Sequence, residues 1–418
     1  MVRKNENYDV IVIGGGPSGM MAAGRAGERG LKVLLLEKNH SLGDKLKITG
    51  GGRCNITNAE FDKEIFLGHY GPAKDFLYSP FSQYGVKDTF SFFESRGLPL
   101  AVEARKRAFP ATQKAEDVFR VLEKYLIKNK VEIKTGVKVN EIRARDNKIK
   151  SVVMVGTEYE TKAVVLATGG LSHPETGATG DGFKWLQELG HEVKQPTPDI
   201  VPLATKEKWV KDLSGVSLSF MKITFFLDGK KAFTKTGKIL FTHFGLSGPL
   251  IMNSARQVKD LLRAGVVTAK IDTYPDTDLG ALEKNIIKTF DQNKNKDLKN
   301  IFKEITPEGL DEAVLSLLKN IDEKTKVHSV TKEERKQIVQ LLKALPLTVT
   351  GLLGFDRAVV SDGGVLLEEI DMRTMVSKKC KNLYITGDLL NINRPSGGFS
   401  LQLCWTTGFV AGDNLLKK

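Results

Sequence analysis

Near the N-terminus, Gly14-Gly15-Gly16-Pro17-Ser18-Gly19 fits the pattern G-x-G-x-x-G, a spacing that can hold a phosphate. Gly14 permits a tight turn, Gly16 lets the backbone approach a pyrophosphate, and Gly19 lets a helix lie close to the preceding strand. Pro17 and Ser18 begin that helix, and its N-terminus favours the phosphate charge. The pattern alone is weak. Glu37 strengthens it, because it ends the next apolar stretch 18 residues after Gly19. A carboxylate there can hold both hydroxyls of an adenosine ribose. Lys38 adjoins it.

The rest of the chain decides which dinucleotide this is. Val164-Val165-Leu166-Ala167-Thr168-Gly169-Gly170 reads as a buried strand ending in a turn of small residues, and Leu383-Tyr384-Ile385-Thr386-Gly387-Asp388 as another. Both resemble late motifs of two-dinucleotide-binding flavoproteins, in which the second sets its Asp beside the ribityl chain and pyrophosphate. An NAD-only domain does not require this set, so the expected cofactor is FAD. Ahead of both lies the most distinctive stretch, Lys45 through Thr49, Gly50, Gly51, Gly52, Arg53, Cys54 and Asn55 to Asn58. Its consecutive glycines supply backbone N–H groups without bulk, so a planar ring can lie against them. Arg53 and Asn55 add donors suited to phosphate or flavin carbonyl oxygens. The bland alternative is a flexible surface loop. Val137 joins the candidate cofactor set. Near the end, Arg394-Pro395-Ser396-Gly397-Gly398-Phe399-Ser400 leads into a helix whose N-terminus could stabilise negative charge on a reduced ring.

These residues need elements to position them. Tyr8–Ile13 reads as a strand, Pro17–Arg29 as a helix and Lys32–Glu37 as a second buried strand. Residues 112–128 read as an amphipathic helix, with strands around 131–142, 149–155 and 163–167. The prolines of Gln195–Pro202 suggest a linker between domains. Beyond it Ser219–Leu227 alternates as a strand, Asp228-Gly229 signals a hairpin, and strands fit 237–242 and 266–272. Residues 278–343 carry helical periodicity in three pieces. The expected fold is α/β: a split Rossmann-like FAD-binding domain, 1–195 and 351–418, with an inserted domain at 196–350. That insert comprises a β-barrel-like unit, 196–275, and a helical lid, 276–345.

The whole chain has 418 residues, 41% of them hydrophobic and 27% charged, ordinary for a globular protein with a real core. No long apolar run suggests a membrane span, and Cys54, Cys380 and Cys404 are too scattered for a disulfide framework or a zinc site. The reading is a cytoplasmic protein without a metal. A formal charge of +13 is compatible with nucleic acid, acidic metabolites or phosphorylated cofactors, and equally with a lysine-rich surface kept soluble by charge. Cys54 has no C-x4-C partner, so it reads as a small residue near the cofactor, not a redox nucleophile. No second G-x-G-x-x-G follows a strand, so a nicotinamide donor, NAD(P)H, would dock transiently, or reduction comes from another partner.

The GGRCN-x-TN stretch, Phe241–Pro249, Arg373–Lys378 and Ser396–Phe399 together resemble the BaiN-like, or YhiN-like, NAD(P)/FAD-dependent oxidoreductases. The resemblance runs from about Asp9 to Gly412. It implies FAD, a barrel-like insert with a helical lid, and reduction of conjugated C=C bonds, with steroid-type enones or uridine in ribosomal RNA as substrates. Here Asp388 stands where Glu is expected, and Phe399-Ser400 where Tyr-Asn is common. His243 is the candidate proton donor, with a structural loop histidine as the alternative. Arg53 is a further catalytic candidate, and His173 and Arg394 are weaker ones. Three functions stay open: a C=C reductase acting on uracil within RNA, a small-molecule enone reductase, and a flavin-loaded RNA-binding or scaffold protein.

Overall fold

The computed structural model describes residues 3–417. The chain divides into two compact units, one running to Pro198 and resuming at Val359, the other Asp199–Ala358.

The first unit is organised around β1 (Arg3–Ile13), α1 (Pro17–Glu28) and β2 (Val33–Leu36). Val10–Val12 and Leu34–Leu36 are essentially inaccessible, which suits strands covered on both faces. Burying each such side chain contributes roughly 1.5–3 kcal/mol. Parallel pairing sets the order Glu132–Lys134, β2, β1, Thr157–Leu166, Leu383–Ile385. The strand Thr157–Leu166 has two partners on one side. Its first half pairs antiparallel with Lys148–Met154, and its last residues pair parallel with Leu383–Ile385. Helix α1 packs between this sheet and the C-terminal helix Phe399–Asn414, where Gly408 and Gly412 permit the approach: a Cβ would lie 2.4 Å from Ser18 O and 2.6 Å from Ala22 O.

The stretch read as a linker differs. Val193–Asp199 is a strand paired with Val360–Val365 in a two-stranded sheet. Pro196 and Pro198 are two residues apart, so their missing N–H groups share one side of the strand. An edge strand tolerates that. The 131–142 segment likewise divides into Glu132–Lys134 and Val139–Arg145.

The second unit contains a closed antiparallel barrel in the order Leu203–Thr205, Gly245–Ser247, Lys230–Thr242, Ser217–Leu227, Val267–Asp272, Leu345–Leu352. Asp228 and Gly229 both take positive φ, 47° and 78°, at its hairpin, as a two-residue I′ turn demands. Met221, Ile223, Phe225, Ile239 and Phe241 point inward and share one core with the helices that follow. Those helices are Leu279–Gln292, Leu298–Ile305, Asp311–Leu317 and Lys332–Lys343. The extra break, relative to three expected pieces, falls at Asn293–Asp297, ahead of the helix that starts at Leu298.

Candidate active site

The carboxyl ends of the parallel strands open into one cleft of the first unit. In open α/β sheets this is where ligands bind. At the end of β1, Gly14 has φ +106° and a Cβ there would lie 2.5 Å from Ala167 O. A Cβ on Gly19 would lie 1.9 Å from Gly14 O, so this glycine lets α1 close onto the turn. Gly16 is different: a Cβ there would meet nothing within 4 Å. It faces the cleft as the N-cap of α1, followed by Pro17 at the first helical position. A pyrophosphate has room at that point, against a helix N-terminus with no acidic residue in its first turn.

Glu37 follows β2. Its Oε2 accepts from Gly15 N at 2.7 Å and its Oε1 from Asn39 N at 2.8 Å. These bonds fix the carboxylate and leave lone pairs for two further donors, the requirement for a ribose diol. Lys38, Val137, Thr168 and Gly169 also line this part of the cleft. The Thr168 hydroxyl is buried without a hydrogen-bond partner, a vacancy that a bound polar group can fill.

At the other end lie Lys45, Thr49, Asp388, Ser400, Leu401 and Cys404. Asp388 is bonded to the Arg394 guanidinium and stands 3.8 Å from Lys45 Nζ. Burial pushes the Asp388 carboxyl up, but Arg394 and Lys45 outweigh it and hold the group below the usual carboxylate range. Asp388 therefore acts as an acceptor. Arg394 is itself buried, donating to Ile392 O at 2.8 Å and Ser400 Oγ at 3.1 Å. Burial pulls the Lys45 ammonium down, against the opposing charge of Asp388. Burial pushes the thiols of Cys54 and Cys404 up to about 12, so neither supplies a thiolate near neutrality.

The glycine-rich stretch splits into two jobs. The helix starting at Asp44 loses helical geometry from Thr49, and Gly50, Gly51 and Gly52 all take positive φ. They are exposed, and a Cβ on Gly51 or Gly52 would meet nothing within 4 Å. Arg53 and Asn55, in contrast, are committed within the protein and do not line the cleft. Arg53 lies over the Phe109 ring at 4.1 Å, bonded to Glu103 and to Gln113. With its amide oriented to match its neighbours, Asn55 donates to Thr57 O at 3.0 Å and Ala108 O at 3.2 Å and accepts from Gly398 N at 3.0 Å. Asn58 reaches Gly397 O at 3.2 Å. The GGRCN and SGGF segments are thus stitched together. Gly398 is required there, since a Cβ would lie 2.2 Å from the Thr57 carbonyl carbon. Phe399 is buried beside Phe66 at 5.0 Å and His69 at 4.5 Å. Gly170 packs against Ser361, and Gly387 against Ser18.

Several cleft residues escaped the sequence reading: Thr176–Thr179, Asp181, Trp185, Val359 and Val360. They come from segments with no motif. Ser400, Leu401 and Cys404 were findable, because Cys404 lies four residues from Ser400 and three from Leu401, the spacings that bring side chains together on a helix. His243 belongs to the second unit, exposed in the turn between Lys230–Thr242 and Gly245–Ser247 with its ring 4.9 Å from Phe244. His173 is bonded to Glu175 at 2.7 Å.

The residues around the cleft fit FAD: an open glycine face for the pyrophosphate, a fixed carboxylate for the ribose, and an ionised acceptor, Asp388, at the far end. Among the described residues no helix is long and apolar enough to cross a membrane, and no cluster of His, Cys, Asp and Glu could hold a metal ion.

Comparison with known proteins agrees. The family described as HI0933-like protein Rossmann domain matches residues 8–414. The chain is 29% identical over 406 residues to the 3-dehydro-bile acid delta(4,6)-reductase of Clostridium scindens, covering 96% of this chain and 97% of that one. It is 28% identical over 413 residues to the ribosomal RNA dihydrouridine synthase of Haemophilus influenzae, covering 98% of each. The fold is similar to that of a 3-ketosteroid-delta4-(5alpha)-dehydrogenase from Rhodococcus jostii, with a TM-score of 0.55 and 15% identity over 100% of this chain and 98% of that one.

Proposed function

The chain belongs to the HI0933-like Rossmann-domain family and is a flavoprotein oxidoreductase, and from that premise we propose that it reduces a C=C bond conjugated to a carbonyl, with NAD(P)H as donor. The observation that carries the reading is the cleft at the strand ends, with Gly16 open, Glu37 fixed and Asp388 held ionised. FAD, when bound, supplies the hydride chemistry. The chain's own residues would bind and orient it: the N-terminus of α1 would hold the pyrophosphate, Glu37 would accept from the ribose hydroxyls, and Asp388 would accept from a hydroxyl of the linking chain. Reducing the double bond also consumes a proton, delivered to the carbon that does not receive the hydride. His243 is the proposed source, placed in a turn of the barrel unit. The helical part of that unit is proposed to act as a mobile lid.

The uracil ring in ribosomal RNA and a 3-keto steroid share the required feature, a C=C conjugated to a carbonyl. The likeness to the Haemophilus influenzae relative supports the uracil reading. The comparable likeness to the Clostridium scindens reductase supports a small-molecule enone as the second. Mass spectrometry of ribosomal RNA from a strain lacking this protein separates them. Loss of a dihydrouridine that the intact gene restores is expected for the first; unchanged dihydrouridine removes it and leaves the enone.

A further inference from the structure

We infer that the outer face of the barrel strands Ser217–Leu227, Lys230–Thr242 and Val267–Asp272 is a docking surface for single-stranded RNA. The inference rests on the reading of the chain as a C=C reductase and gives its substrate a polynucleotide carrier. Cross-strand register builds the face. Lys222 lies between Thr236 and Asp272, Thr224 between Thr234 and Lys270, and Phe226 between Lys231 and Thr268. The intervening residues Met221, Ile223 and Phe225 are buried in the barrel core, so alternation turns the first set outward.

Three properties of this face suit RNA. Lys222, Lys231, Lys238 and Lys270 are exposed, while Asp272, the acid in register with Lys222, is already neutralised by Lys343 at 2.8 Å. The field on the face is therefore positive. Aromatic rings interleave with the charges: Phe226 has Lys270 Nζ 5.3 Å from its centroid, and Phe220 is 72% exposed where the strand bulges. A large ring held out at a positive φ of 59° gains nothing from water and offers a stacking platform for a base. Between them, the hydroxyls of Thr224 and Thr234 are bonded to each other at 3.0 Å, which leaves one O–H to donate to a phosphate oxygen and oxygen lone pairs to accept from a 2′-hydroxyl. An anionic membrane is the competing partner. It shares the lysines but has no use for a row of threonine hydroxyls across the barrel strands.

The test uses the full-length, FAD-loaded protein and a fluorescein-labelled, uridine-containing single-stranded RNA. Lys222→Glu/Lys231→Glu/Lys270→Glu is compared with Lys284→Glu/Lys288→Glu/Lys303→Glu, which makes the same charge change on exposed helical lysines. Each lost phosphate contact flattens the log–log salt dependence by about 0.7, so the barrel variant should lose about 2 of slope and on the order of tenfold or more in affinity. The helix variant should stay near wild type. Phe220→Ala should weaken binding with the slope unchanged. Equal loss in both triple variants, no RNA binding by wild type, or tighter binding to phosphatidylglycerol vesicles than to RNA overturns the proposal. Flavin reduction by NADPH and melting temperature, read on the same samples, confirm that each variant is folded and active. RNA binding without reduction of any conjugated C=C sinks the reductase reading alone, and enone reduction without RNA binding sinks the surface alone.

Discussion

Gly16 and Gly19 sit three residues apart in one turn, yet substitutions should fail in opposite ways. A Cβ on Gly19 would lie 1.9 Å from the backbone oxygen of Gly14, which cannot yield without moving the end of β1. Overpacking of this kind costs about 1–3 kcal/mol or more. Gly19→Ala should therefore melt early even without FAD, by roughly 2–4 °C per kcal/mol for a unit of this size. Gly16 has φ −78° and ψ −175°, open to any residue, and empty space beyond its Cβ position. Gly16→Leu should leave the FAD-free protein within about 1 kcal/mol of wild type, an ordinary surface effect at a helix start. Its side chain would instead occupy the pyrophosphate's place. At a hundredfold excess of FAD over Kd, wild type gains about 2.7 kcal/mol, or roughly 5–10 °C, and Gly16→Leu should gain almost none. Melting curves of deflavinated wild type and both variants, with and without FAD, give all these numbers. A Gly16→Leu protein that keeps the FAD shift, or a Gly19→Ala protein that melts like wild type alone, would refute the reasoning.

Glu37→Gln presents an amide N–H₂ to one of two backbone donors, at a cost of about 1–3 kcal/mol. FAD affinity should fall about tenfold or more while FMN, which lacks the adenosine ribose, binds as before; titration of deflavinated protein with each reads this. Asp388 is held below its ordinary value, so what it contributes to FAD retention is present above the normal carboxylate range of about 4 and lost as pH falls through its lowered value. In Arg394→Gln burial is less opposed, and FAD release followed by fluorescence should move to higher pH. His243→Ala should keep its FAD and its reduction by NADPH, yet slow reoxidation by a conjugated acceptor about 10²–10⁴-fold. Loss of melting temperature and of FAD together would instead mark His243 as structural.

Local pattern carried the sheet core well. Tyr8–Ile13 and Val33–Leu36 are short apolar runs set on either side of a glycine turn, and their periodicity and punctuation lie within a few residues. The same holds for the Asp228-Gly229 hairpin. What the sequence hides is partnership over distance. Arg53 and Asn55 read as free donors because Glu103, Gln113 and Ala108, which accept from them, are remote in the chain. The prolines near 196 read as a linker because nothing local announces Val360–Val365 as a partner. Gly363 marks the contact only in three dimensions, where a Cβ would lie 2.7 Å from Pro196 Cα. The helices Lys63–Gly68, Lys74–Gln83 and Val86–Glu94 carry aromatic residues on broad faces, and the buried positions of Phe66, Phe81 and Phe93 become evident only against Phe399, Phe66 and Trp405 in turn.

The central claim is transfer of a hydride through FAD to a carbonyl-conjugated double bond, and anaerobic stopped-flow spectroscopy of the FAD-loaded protein tests it most directly. NADPH or NADH should bleach the flavin absorbance. Mixing the reduced protein with a uridine-containing ribosomal RNA transcript or a 3-keto-Δ4 steroid should restore the absorbance, with one product molecule carrying two added hydrogens per flavin reoxidised. Reduced protein that stays bleached with both acceptors and reoxidises only in air would contradict the account.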